Sequence, residues 1–137
     1  MNTFLPHPDF NVSARCLDRA RLGKQRVEAL QILNVLTGQS RGWRHHPAVL
    51  MWQGYTDALM EYHNACLLEW IRRGYRNTMP FLHGDSVVSM HPPWLGNEAF
   101  HSAHRSNLLR KDPSWYGQFG WIESPDLPYV WPVKKAG

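Results

Sequence analysis

The chain has 137 residues, with fifteen Lys or Arg against eleven Asp or Glu and a net charge of +4; that is one domain's length with enough chain for a real core, and its charge points weakly to a polyanionic partner. Hydrophobic residues make up 43%, including seven Trp and five each of Tyr and Phe, which excludes a disordered chain. No run approaches membrane-spanning length, Met1 to Pro6 lacks a secretion-signal pattern, and two cysteines, Cys16 and Cys66, are too few for a disulfide framework and read as buried thiols; a soluble, cytoplasmic protein is expected.

The first predicted helix runs from about Val12 to Leu36, with Asn11 or Ser13 as N-cap and Thr37-Gly38 as its stop. Its apolar stripe is Leu17, Ala20, Val27, Leu30, Leu33 and Val35 or Leu36, and Gly23 weakens its middle. The same stretch holds Arg15, Arg19, Arg21, Lys24 and Arg26 within twelve residues, with Asp18 and Glu28 as the acids. Arg19 and Arg26 lie two turns apart, as do Arg21 and Glu28, so guanidinium groups and a carboxylate share one element. Phosphate binding beside acid chemistry needs that combination. Spacing alone also fits a plainer reading, an i, i+4 surface salt bridge between Lys24 and Glu28.

Trp43-Arg44-His45-His46-Pro47 precedes the second helix, where free N–H groups and the dipole favour anions; phosphate contact and ordinary capping are both open there. That helix is predicted from Pro47 to Arg73, with Gly74 as its left-handed stop and Arg72-Arg73 complementing the C-terminal dipole. Its stripe of Val49 or Leu50, Trp52, Tyr55, Leu59, Tyr62, Cys66 and Trp70 reads as core. Residues 76–96 carry Pro80, Gly84, Pro92 and Pro93 and form a long irregular stretch. The third helix is predicted from Asn97 to Arg110, closed by Asp112-Pro113. Its His101, His104 and Arg105 share one face at i, i+3 and i+4. Structural packing and a surface facing substrate or phosphate are both open for them; His91 is available as a third metal ligand, but no carboxylate or Cys lies at a diagnostic distance, and no metal is expected. The tail from Trp115 is too rich in Pro and Gly for a helix and is expected to wrap over the bundle and bury its aromatics. The fold class is mainly α: a compact helical bundle spanning 1–137 as one domain, with three main helices, long irregular connections and an aromatic-rich C-terminal tail. A phosphate-cradling glycine loop, a nucleophile elbow and a Cys-x-x-Cys pair are all missing from the sequence.

Three stretches in this order resemble the pyrimidine-dimer DNA glycosylase family, of the phage endonuclease V type. Leu22-Gly-Lys-Gln-Arg26 is similar to the part of the first helix that carries the family's catalytic-helix arginine. Leu67-Leu-Glu-Trp-Ile-Arg-Arg-Gly-Tyr-Arg-Asn77 resembles its acidic-then-basic helix end, and Asp112-Pro-Ser-Trp-Tyr116, with Phe119 beyond it, resembles its closing segment. The family follows its arginine directly with a glutamate; here Val27 stands after Arg26, and Glu28 comes one position later.

The resemblance implies a mainly helical domain that binds damaged duplex DNA, kinks it and extrudes a base. It also implies an N-terminal α-amine as nucleophile at C1′, forming an imine that allows strand cleavage. An α-amine suits this work because its ordinary pKa of about 8 leaves far more free base at neutral pH than a lysine at about 10.4. On that basis the expected catalytic residues are Met1, Glu28 and Arg26, and the expected DNA contacts are Arg19, Arg21, Lys24, Arg44, His101, His104 and Arg105. No cofactor is expected; the partner is double-stranded DNA carrying a pyrimidine lesion or modification, the protein a monomer, with no membrane. Two alternatives stand beside this reading: a non-catalytic nucleic-acid-binding module on the same scaffold, and an unrelated small-molecule enzyme using His101 and His104.

Overall fold

A computed structural model describes residues 1–84 and 90–133. Its elements in chain order are α1 (Phe10–Cys16), α2 (Arg19–Leu36), α3 (Pro47–Leu50), α4 (Thr56–Arg72), α5 (Glu98–Lys111), α6 (Pro113–Tyr116) and a 3₁₀ turn, Gly117–Phe119. Three of the helices are long, as expected, and the described residues include no strand. Among those residues, no helix is long and apolar enough to cross a membrane. Part of the irregular 76–96 stretch, residues 85–89, lies outside the described residues.

The predicted first helix is broken at Leu17 and Asp18, which take extended backbone (ψ 139° and 162°). Arg15 therefore sits on α1, apart from the other basic residues on α2, and Asp9, rather than Asn11 or Ser13, caps the start by accepting from the Val12 N–H at 3.0 Å. Long-range contacts hold the break. Arg73 donates to the Leu17 carbonyl at 2.7 Å and the Arg15 carbonyl at 3.1 Å, so it closes the open C-terminal end of α1. Trp115 Nε1 donates to the Cys16 carbonyl at 2.7 Å, while the Tyr116 hydroxyl donates to Asp18 Oδ1 at 2.5 Å. The ends of α4 and α6, far apart in sequence, brace one corner. Arg72 and Arg73 also chelate the buried Glu69 carboxylate, at 2.6–2.7 Å, which holds that carboxyl below its ordinary range against the cost of burial.

The break changes the phase of α2. Its buried residues are Leu22, Gln25, Ala29, Ile32 and Leu33, so the stripe expected through Ala20, Val27 and Leu30 is displaced; Ala20 and Val27 are exposed. This face packs along α4, where Leu59, Tyr62 and Cys66 are fully buried, and α1 packs against α4 as well. The predicted second helix is broken too: α3 ends at Leu50, and Gly54, at φ +85°, reverses the chain before α4. Trp52 keeps its expected core position in the connection, fully buried and edge-on to Trp94 at 5.0 Å. Cys16 and Cys66 are free and buried. The tail makes a short helix after all, and its Tyr116 is fully buried, with Trp121 stacked on it at 5.7 Å.

The segment before α1 is extended, pairs with no strand, and is nevertheless buried from Asn2 to Pro6. Side chains meet its backbone groups one by one. Gln25 Oε1 accepts from the Phe4 N–H at 2.8 Å, and Gln25 Nε2 donates to the Asn2 carbonyl at 3.0 Å. The Tyr62 hydroxyl is shared between the Phe4 carbonyl, at 2.9 Å, and Gln25 Oε1. His104 Nδ1 accepts from the Leu5 N–H at 2.9 Å, His101 Nδ1 donates to the Leu5 carbonyl at 2.8 Å, and Arg105 Nη1 donates to the Pro6 carbonyl at 2.8 Å. Trp52 Nε1 donates to Thr3 Oγ1 at 3.1 Å. Buried peptide groups require such partners, and here three helices supply them, while the α3–α4 connection meets the Thr3 hydroxyl.

This arrangement needs neutral imidazoles, because His104 accepts at Nδ1 and a protonated ring cannot. Burial, with His101 beside it, pushes His104 down to about 3, and burial also lowers His101. A histidine with a lowered folded-state pKa contributes stability above its unfolded value, near 6.5, and loses it as pH falls below that value. Stability should therefore decline between pH 6.5 and pH 5, by at most about 1.4 kcal/mol per pH unit for each such histidine, above the range in which carboxylates titrate. Urea midpoints across that interval check this, and a flat profile would sink it.

Candidate functional site

The buried N-terminal segment delivers Met1 and Asn2 to the side of α2. There the residues at i, i+3, i+4 and i+7 from Arg21, namely Lys24, Gln25 and Glu28, point the same way. They form one wall of a cavity of about 430 Å³. Met1, Asn2 and Phe4 line it from the N-terminus, His46 from the turn before α3, Lys111 from the end of α5, and Tyr129 and Trp131 from the tail. Glu28 accepts from Gln25 Nε2 at 3.1 Å, and the Asn2 N–H approaches its Oε2 at 3.4 Å. No Lys24–Glu28 ion pair forms among the described residues; the Glu28 carboxylate is held by Gln25 and faces the chain terminus instead.

Lys24 is exposed at the rim, and Arg21 is half-buried beside it, paired to Asp18 at 3.2 Å. With Lys111 they place three cationic side chains around one cavity that also holds a carboxylate. On the far side of Ala20, Lys24 and Glu28 lies a second, more open cavity of about 750 Å³, lined by Arg19, Gly23, Val27, Gln31 and Trp70 as well. A Cβ at Gly23 would meet the Trp70 ring at 3.2 Å, a tight contact to which the ring must yield by a few tenths of an ångström.

Of the expected site residues, the structure brings Met1, Glu28, Arg21 and Lys24 to one cavity. Arg19 lies outside that cavity, exposed, with its guanidinium 4.9 Å from the centre of the Tyr75 ring. Arg44 is exposed in the turn before α3. Arg26 departs from its expected catalytic position: it points toward α4, stacks on Trp70 at 4.0 Å, and lines neither cavity. The expected DNA contacts His101, His104 and Arg105 turn inward, at 0%, 1% and 8% exposure. Both His101 nitrogens, His104 Nδ1 and the Arg105 guanidinium are spent on the N-terminal segment, on the Gly96 N–H (His101 Nε2, 2.9 Å), and on Glu98 and Glu123 (Arg105). The small-molecule reading built on His101 and His104 loses its footing with them.

Gln25, Lys111, Tyr129 and Trp131 were not foreseen as site residues from the sequence, and His46 was left open between phosphate contact and capping. Gln25 sits at i−3 from Glu28, and that spacing is its only local signal. Lys111, Tyr129 and Trp131 reach the cavity through tertiary packing and carry no local signal. Trp43, beside His46, has a left-handed backbone (φ +66°) and is 65% exposed, a strained placement for a bulky residue.

Gln25→Ala strips the Phe4 N–H and the Asn2 carbonyl of their partners and should cost about 2–4 kcal/mol in chemical denaturation. Glu28→Gln keeps the side chain's volume and its place beside Gln25 and should cost far less. Equal losses for the two would show that the N-terminal segment is not held as described.

The model of the family described as pyrimidine dimer DNA glycosylase matches residues 1–83 of this chain, which run from the N-terminal segment through α4. No curated protein and no solved structure matches it.

Proposed function

This chain belongs to the pyrimidine dimer DNA glycosylase family, and from that membership we propose that it removes a damaged pyrimidine from double-stranded DNA by amine attack at C1′, followed by strand cleavage at the abasic sugar. One observation carries the proposal: the chain's first residues and the Glu28 carboxylate lie together in a cavity ringed by Arg21, Lys24 and Lys111. The duplex lies across the exposed face of α2, and the damaged nucleotide is drawn out of the stack so that its sugar reaches the cavity.

The lone pair of the Met1 α-amine forms a bond to C1′ while the C1′–N1 bond breaks, and its electron pair leaves on the pyrimidine. Glu28 takes the proton that the amine sheds and returns it to the departing base. Ring opening of the sugar gives an imine, and loss of a 2′ proton then expels the 3′ phosphate. Arg21, Lys24 and Lys111 hold the flanking phosphates, with Arg19 and Arg44 as outlying contacts. If Met1 were removed, the amine would become the Asn2 nitrogen, 3.4 Å from Glu28 Oε2; the same acid serves either terminus.

Borohydride should trap a covalent protein–DNA adduct on duplexes carrying a pyrimidine dimer, and the mass of its N-terminal peptide identifies which residue carries the sugar. Glu28→Gln should slow cleavage of the C1′–N1 bond by about 10²–10⁴-fold and leave salt-dependent binding in place. Binding without any cleavage of the C1′–N1 bond, indifferent to Glu28→Gln, would instead make the protein a nucleic-acid-binding module. Separately, Lys24→Ala and Lys111→Ala should each reduce the slope of log affinity against log salt by about 0.9, and unchanged slopes would remove these residues from the DNA face.

A further inference from the structure

His46 lines the same cavity from the turn before α3, and the reaction outlined above gives it nothing to do. Its Nδ1 accepts the Ala48 N–H at 3.0 Å, capping α3. A ring nitrogen that accepts a backbone N–H carries no proton, so in the neutral ring the proton sits on Nε2. The cap thus fixes one tautomer. It also disfavours the cation, in which both nitrogens would be donors. Burial and the nearby positive α-amine act in the same direction and hold the imidazole below its ordinary value.

The ring stands edge-on to Trp43 at 5.8 Å and to Trp131 at 5.9 Å, and Trp131 in turn lies 5.7 Å from Tyr129. His46, Trp131 and Tyr129 therefore make a run of aromatic rings lining the same cavity as Arg21 and Lys24 of α2. A sugar-phosphate suits the cationic side; a base suits the aromatic one.

We propose that His46 is a further catalytic residue, a neutral Nε2–H donor to the O2 carbonyl of the departing pyrimidine. As C1′–N1 breaks, its electron pair spreads over N1 and O2 of the base, and a fixed donor there is stronger in the transition state than in the bound substrate. His46 keeps its proton throughout; the proton that neutralises the base comes from the amine by way of Glu28. This inference rests on the glycosylase reading, because it needs a leaving base.

His46→Asn tests it. An Asn side chain keeps an oxygen acceptor for the cap, a position Asn favours, and lacks the reach of Nε2. Two substrates are compared at saturation: duplexes with a pyrimidine dimer, and duplexes with a ready-made abasic site, which has no base to expel. Cleavage of the C1′–N1 bond should fall by about a hundredfold, mainly in kcat, while cleavage at the abasic site falls by several-fold at most, and free imidazole should restore part of the loss. Equal rates for variant and wild type on the dimer would overturn the proposal. Equal slowing on both substrates would overturn it too, since His46 would then be placing the amine rather than aiding the leaving base. A wild-type protein inert on both substrates sinks the glycosylase reading and this inference with it. The thermal midpoint of His46→Asn, expected near that of the wild type, separates lost chemistry from lost cap.

Discussion

The structure depends on one unusual burial: an extended N-terminal segment threaded into a helical protein with no sheet to receive it. Each peptide group left unpaired in such a place costs on the order of 1–3 kcal/mol, so the segment is tolerable only if side chains answer it group by group. Gln25, Tyr62, His101, His104 and Arg105 do so, from three different helices. They fix the position of the first residues far more tightly than apolar contacts could, because hydrogen bonds are directional where hydrophobic burial is not. A terminal amine used as a nucleophile needs that fixing, since a chain end is by default the least ordered part of a protein.

The corner between α1 and α2 follows from the same requirement. An uninterrupted helix from Phe10 to Leu36 would carry α2 in a different phase, with Gln25 turned away from the segment it holds. The break at Leu17 and Asp18 is a weak point by itself, with carbonyls left open at the end of α1. Arg73, Trp115 and Tyr116 close it from two distant parts of the chain. Two of the three stretches that resembled the family from the sequence, the Arg-Gly-Tyr helix end and the Pro-Ser-Trp-Tyr segment, thus supply the braces of one corner rather than the chemistry.

What was legible in the sequence, and what was not, follows from these contacts. The three long helices could be read because caps, stops and periodic apolar residues are local signals, and Gly38, Gly74 and Asn97 sit where such signals put them. The stripe of α2 was misplaced because its central buried residue is a glutamine, which a hydropathy pattern assigns to the outside. The inward face of α5 stayed open between packing and a substrate-facing surface for the same reason: His101, His104 and Arg105 look like a polar surface, and only the fold shows that much of what they meet is backbone. The breaks at Asp18 and Gly54 were missed because their bracing is long-range or follows a single glycine. Met1 and Glu28 were named through resemblance; nothing between residues 1 and 28 announces that the chain doubles back to join them.

Register bears on the proposed acid, given that no glutamate follows Arg26 directly. Successive residues on a helix are rotated by about 100°, so the face of α2 that meets the N-terminal segment is set once Gln25 is anchored there. From Gln25 that face continues to Glu28, one turn on. Position 27 lies elsewhere: Val27 is 46% exposed and borders the cavity over Trp70. A carboxylate at 27 would reach neither Met1 nor the Gln25 amide, and Arg26 is committed to Trp70. The unit that matters here is Gln25 with Glu28, one holding the terminus and orienting the acid, the other facing the terminus. An arginine followed at once by a glutamate is a pattern along the sequence. The chemistry depends on which residues share a face, and in this chain Glu28 is the acid on that face.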